Sequence, residues 1–135
     1  MPNRKFLFLV PAFLGAMILL SGLIESTVGA GQMAKPRVGT LEGAGFHNAE
    51  GTVKLTGHQL VMSNVAIDRV PDGRVYLAND ADVQGGVELG RLTRFSGTVQ
   101  YTIPSTINPD DYNSVLIWCK KFSVDIGYAT LQDGQ

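Results

Sequence analysis

The chain has 135 residues, with eleven Lys and Arg against twelve Asp and Glu, a formal charge of −1, and a single cysteine. That balance, with no clustered Lys and Arg, excludes the strongly basic surface that nucleic-acid binding needs. One cysteine excludes an internal disulfide, so the fold must be held by its core or by a partner.

The N-terminus carries Arg4 and Lys5 and then an apolar run over residues 6–24, followed by the small residues of VGA at 28–30. A positive start, an apolar stretch and small residues are the parts of an export signal, with cleavage expected after Ala30. The run is also long enough to span a bilayer, so a retained N-terminal membrane anchor is the second expectation. With Arg4 and Lys5 kept inside, everything after residue 30 faces outward, in the periplasm or at the cell surface. Setting aside Arg4, Lys5 and Glu25 leaves nine basic and eleven acidic residues, a formal charge of −2. Residues 31–37 read as a linker, and residues 38–135 as one small domain.

Along that domain, short β-like segments alternate with turns. Residues 40–42 lead into a glycine-rich turn. Residues 51–57 (GTVKLTG) put Val53 and Leu55 on one face, and residues 59–67 form a second strand candidate. Pro71-Asp72-Gly73 is a turn, because Pro presets φ and Gly admits positive φ. Residues 74–78, 87–90 and 97–103 continue the pattern, and Pro104 stops the last of them. Pro109-Asp110-Asp111 is another turn. Residues 115–119 (VLIWC) are apolar on both faces and read as a central strand buried on two sides. Residues 122–126 alternate again, and Gly127 separates them from residues 128–131. No long helical period follows residue 30. The fold class expected is therefore all-β, a small antiparallel β-sandwich or partly open barrel, preceded by one N-terminal hydrophobic helix.

Four places could carry chemistry. Residues 80–85 (DADVQG) begin like a calcium loop, but the twelfth position, which should be a bidentate Glu, is Arg91. His47 and His58 are the only imidazoles, and a zinc site would need Cys119 and a carboxylate to join them. Cys119 is followed by Lys120 and Lys121, and positive charge favours thiolate. Lys120 is accordingly a candidate for tuning the Cys119 pKa. Yet Cys119 shares strand parity with Val115 and Ile117, and cysteine is among the most buried residue types. Reactive thiol and buried packing residue both stand at this point.

Several segments, in order, resemble a known domain: residues 39–43 (GTLEG), 47–53 (HNAEGTV), 75–78 (VYLA), 88–92 (ELGRL) with Gly97, 101–104 (YTIP), and above all Tyr112-Asn113, residues 115–120 (VLIWCK), 122–124 (FSV), Gly127, Ala129 and Leu131. Together they resemble the DM-thirteen "electron transfer" domain, over roughly residues 38–131. The resemblance implies an exported or membrane-anchored redox module. Its central cysteine falls on Cys119, acting as a free thiol or holding a prosthetic group such as haem. The histidine before the Gly-Thr-Val strand falls on His47, as axial ligand, hydrogen-bond partner or packing residue. Lys121 and Asp125-Ile126 depart from the family's pattern. A single copy without a cytochrome domain implies a membrane or exported redox partner. The alternative is a non-catalytic cell-surface β-sandwich interaction domain in which Cys119 is a buried packing residue.

Overall fold

The structure, a computed structural model, describes residues 35–134. It contains ten strands among the described residues: β1 (Arg37–Thr40), β2 (Glu42–Gly43), β3 (Ala49–Thr56), β4 (Gln59–Ile67), β5 (Gly73–Asn79), β6 (Asp82–Arg91), β7 (Ser96–Thr102), β8 (Ser114–Cys119), β9 (Val124–Thr130) and β10 (Gln132–Asp133). They form two five-stranded antiparallel sheets packed as an open sandwich. One has the order β2-β9-β8-β5-β6 and the other β10-β1-β3-β4-β7. The all-β sandwich expectation therefore stands. The expected N-terminal helix and its cleavage site fall outside the described residues. The stretch read as linker is shorter than expected, because Arg37 already pairs with Leu55 and Asp133.

The core follows strand parity. In β3, Ala49, Val53 and Leu55 turn inward while Glu50, Thr52, Lys54 and Thr56 face solvent. In β4, Leu60 and Met62 turn inward, and then the phase changes so that Val65 and Ile67 do so. The change comes from one extra residue: Asn64 adopts φ +54°, and the registers with both β3 and β7 shift there. Asn tolerates this left-handed conformation better than most residues. Without the bulge Val65 and Ile67 would face water, forfeiting about 1.5–3 kcal/mol of burial each.

β8 is the middle strand of its sheet. Val115, Ile117 and Cys119 enter the core between the sheets, and Leu116 is fully buried on the outer face. Trp118, also on the outer face, is half-buried. The expected central strand, buried on two sides, is thus present. The next strand starts later than the alternation of residues 122–126 suggests. Lys120 to Ser123 form a turn, Ser123 at φ +54°, and pairing resumes at Val124. A register shift between Asp125 and Gly127 sends Ile126 into the core.

The β5–β6 hairpin shows how the sheet is tied. Asp80 and Ala81 both have positive φ, +54° and +56°, the geometry of a two-residue type I′ turn. Three side-chain bonds from the start of β8 hold it. The Asp80 N–H donates to Asn113 Oδ1 (2.7 Å), the Asn113 amide donates to Asp80 Oδ1 (3.0 Å), and the Ala81 N–H donates to Ser114 Oγ (2.9 Å). The buried Ser114 hydroxyl donates onward to the Ala78 carbonyl (2.9 Å). The segment that looked like a calcium loop is thus this hairpin turn and the start of β6. Across the molecule, the Arg37 guanidinium donates to the carbonyls of Tyr112 and Pro109, both at 2.8 Å, tying β1 to the 3₁₀ turn Pro109–Asp111. Ser114→Ala is expected to lower stability by about 1–2 kcal/mol, because it strips a partly buried N–H of its acceptor. The check is the urea midpoint with an unchanged denaturant slope; a midpoint equal to wild type refutes it.

Candidate functional site

Cys119 closes β8 and pairs with Gly73 of β5 on one side and Val124 of β9 on the other. Its thiol is free and its exposure is 0 %. The end of the sandwich closes over it. A side chain grown on Gly73, its neighbour, would meet Leu92 and Val70 at 3.3 Å, so those two residues cover that corner of the core. The sulfur faces inward and Trp118 faces out, as strand alternation requires.

His47 lies just before β3, in residues 44–48. Its backbone N–H donates to the Ala44 carbonyl (3.0 Å), and its Nδ1 lies 3.7 Å from Asp68 Oδ2 with the ring about a third exposed. Asp68 is fixed in turn by the Asn48 N–H (2.8 Å). His47 and Cys119 share one end of the sandwich. The crossover of residues 68–72 joins the end of β4 to the start of β5; Ala49 pairs with Ile67 at the first, and Cys119 with Gly73 at the second. Cys119 is the last residue of β8, however, whereas His47 lies in the loop that passes from β2, in the same sheet as β8, to β3 in the other sheet. Neither residue lines the surface hollows beside Thr52, His58 or Arg94. The first of these, about 570 Å³, lies on the outer face of the second sheet against Thr40, Thr52, Lys54 and Ser63. His58, at the opposite end, meets the Ile107 carbonyl at 3.0 Å. Among the described residues, no three His, Cys, Asp or Glu side chains are grouped to hold a metal.

Lys120 turns away from the sulfur. Its backbone N–H donates to the Asp72 carbonyl (2.9 Å), and its Nζ sits 3.5 Å from Glu88 Oε1 on the outer face. There it joins a charged network that sequence reasoning did not single out. Arg74 holds Asp72 Oδ1 through Nε (2.7 Å) and Glu88 Oε2 through Nη1 (2.6 Å), Arg91 Nη1 is 3.2 Å from Asp72, and the Tyr76 hydroxyl donates to Glu88 (3.2 Å). The signal was present: Arg74 and Tyr76 alternate with the buried Val75 and Leu77, so both must share the outer face.

The electrostatics follow from these contacts. The Arg74 hydrogen bond holds the Asp72 carboxyl below its ordinary range, against a smaller opposing effect of desolvation. For Glu88 burial is the largest single influence and pushes upward, but Arg74, Lys120 and Tyr76 together outweigh it and leave the group lowered. Burial, and then the Glu88 charge, raises Tyr76. Asp125, beside Trp118 in register, is exposed, and partial desolvation followed by the charge of Asp82 raises it.

Compared with known proteins, residues 41–131 match the sequence model of a family described as electron transfer DM13. No curated protein and no solved structure matches the chain.

Asp125 gives a pH test of this outer face. A carboxyl whose folded pKa is raised costs stability when ionised, and the cost disappears once pH falls below its unfolded value, about 4. Asp125→Asn should therefore raise the Tm at neutral pH, and the difference should fade in acid. Asp72 and Glu88, being lowered, act in the opposite sense: their contribution is present above about pH 4 and is lost as pH falls through their folded values. Thermal melts of wild type and Asp125→Asn across that range decide the point. A difference that stays constant with pH, or a lower Tm at neutral pH, contradicts it.

Proposed function

Because this chain belongs to the electron transfer DM13 family, we propose that it is a redox module working outside the cytoplasm, exported or held at a membrane by residues 6–24, that exchanges electrons with a membrane or exported partner through Cys119. The observation that carries this reading is the match itself, which spans 41–131 and takes in His47 and the chain's only cysteine.

One cysteine limits the chemistry. Attack of the Cys119 thiolate on a partner disulfide forms one S–S bond between the chains and expels the partner's other sulfur as thiolate. Return attack by that thiolate only restores the starting pair, so turnover needs a second exported thiol whose thiolate attacks the Cys119 sulfur of the mixed disulfide. The first partner then leaves with both sulfurs reduced, and Cys119 and the second thiol, joined as a disulfide, have supplied the two electrons. The inward, fully buried thiol adds a second condition: exchange follows local opening of the turn after Cys119 or of the cover formed by Val70 and Leu92. Strand ends and turns open at lower cost than whole domains. In the closed structure neither His47, held by Asp68, nor the Lys120 ammonium, held by Glu88, meets the sulfur, so in this reading either acts on the thiolate only after that opening.

A haem held by Cys119 and His47 does not fit the residues present. Cofactor sites are concave hollows of about 300–1,000 Å³. Here the Cys119 sulfur is enclosed by core side chains, and His47 is turned to Asp68 in the crossover loop at the surface.

A second reading has its own support. Cys119 at 0 % exposure, in one cluster with Val75, Ile117 and Ile126, has the surroundings of a packing residue in a non-catalytic interaction domain. The two readings part on Cys119→Ala. As a core truncation it should cost about 1–3 kcal/mol in either case. Under the redox reading it also abolishes electron exchange with the native membrane fraction; exchange at the wild-type rate would leave only the second reading. Iodoacetamide should alkylate native Cys119 at least about tenfold more slowly than a model thiol, with the rate rising in low urea before global unfolding. Modification as fast as a model thiol in native buffer would show that the closed core does not protect the sulfur.

A further inference from the structure

The end of the sandwich that holds His47 and Cys119 also displays most of the molecule's misplaced apolar surface. Of the four large hydrophobic residues exposed among the described residues, Phe46 (104 %), Phe122 (60 %) and Val124 lie here, and only Val38 lies elsewhere. Phe95, half-buried, joins them from the segment between β6 and β7. The rings stand on separate tips. Phe46 follows Gly45, whose φ is +62° and whose Cβ position is open space, and Phe122 occupies the β8–β9 turn.

Cations accompany these rings. The Arg69 guanidinium lies 5.3 Å from the Phe95 ring centre and Lys121 Nζ lies 5.7 Å from that of Phe122. Among the described residues, Arg69, Arg94 and Lys121 have no carboxylate at salt-bridge distance, whereas Asp68 and Asp72, the acids of the 68–72 crossover, are already engaged. The loops of this end, residues 44–48, 68–72, 92–95 and 120–123, carry four cations against two carboxylates. Glu88, which holds Lys120, and Asp125, next to Val124, border these loops, so the local positive character rests on Arg69, Arg94 and Lys121 beside the exposed rings.

We propose that this end docks on an anionic membrane surface, Phe46, Phe95 and Phe122 entering the headgroup boundary while Arg69, Arg94 and Lys121 meet lipid phosphates. Apolar insertion combined with Lys and Arg is what interfacial binding requires, and either signal alone holds weakly. A protein partner fits less well. Interface cores are depleted of Lys and pack against a continuous surface, while here the rings sit on separate protruding tips, two of them with a cation over the ring. The proposal stands whether or not Cys119 exchanges electrons.

The buried native thiol makes the test direct, because a cysteine introduced at an exposed site can be labelled selectively. The full chain carrying Phe46→Cys or Phe122→Cys, and as a control at the opposite end Asp110→Cys, is coupled to a nitrobenzoxadiazole fluorophore, with labelled wild type as the background. Each is mixed with phosphatidylcholine vesicles with and without phosphatidylglycerol. The expected result is a blue shift and a several-fold intensity rise at positions 46 and 122 with anionic vesicles only. The signal at 110 stays flat. High salt reverses the change, and Arg69→Glu, Arg94→Glu and Lys121→Glu combined, with an unchanged melt, weaken it at least about tenfold. A response equal at both ends or indifferent to lipid charge overturns the proposal. So does a shift on concentrating the protein without lipid, which would assign the end to a second copy. No response to either vesicle would leave it to a protein partner and likewise overturns the proposal.

Discussion

β8 runs between β5 and β9 with both faces covered, and the remainder of the fold is arranged around that fact. A strand buried on two sides can spend every side chain on packing only if both neighbours supply its backbone bonds and something covers its outer face. β5 and β9 supply the bonds along the whole of Ser114–Cys119. Leu116 is fully covered on the outer side, and Val115, Ile117 and Cys119 fill the space between the sheets. With no disulfide available, this strand is the cross-brace. Its first residue, Ser114, and the preceding Asn113 also fix the β5–β6 turn, so one segment sets both the core and the loop geometry at the far end.

The same constraint governs the chemistry open to Cys119. A thiol that completes a core is protected from solvent, and a thiol that exchanges electrons with a partner has to be met by it. Membership in an electron-transfer family and full burial are compatible when the sulfur sits at a strand terminus, one residue from a turn. Reactivity is then set by how often that terminus opens rather than by the resting environment of the sulfur. The neighbouring lysine illustrates the difference. Lys120 is adjacent in sequence, but its ammonium is on the other side of the sheet with Glu88.

Much of this was legible in the sequence where the pattern was simple. Apolarity on both faces identified β8, and alternation identified the core face of β3. Pattern failed where one residue changed the phase. Phe122 and Ser123 continue an alternation on paper, yet Ser123 takes a positive φ and the chain turns. Asn64 hides inside an apparently continuous strand and exchanges its faces. Residues 80–85 looked like a ligand loop because type I′ turns draw on the same small polar residues. Proximity between His47 and Asp68, or among Asp72, Arg74 and Glu88, depends on crossovers and registers that no local window contains.

The boundaries of the two sheets bear on life in a crowded compartment. Each sheet ends on one side in a strand of only two residues, β2 in one and β10 in the other, and β6 is interrupted by two register shifts. Short or irregular borders offer few consecutive unpaired N–H and C=O groups to a passing chain. β7 alone presents a longer regular border, with Thr98, Gln100 and Thr102 facing water along it. A protein that cannot lock itself with a disulfide is thereby guarded against edge-to-edge polymerisation, and whatever strand addition it tolerates should begin at β7.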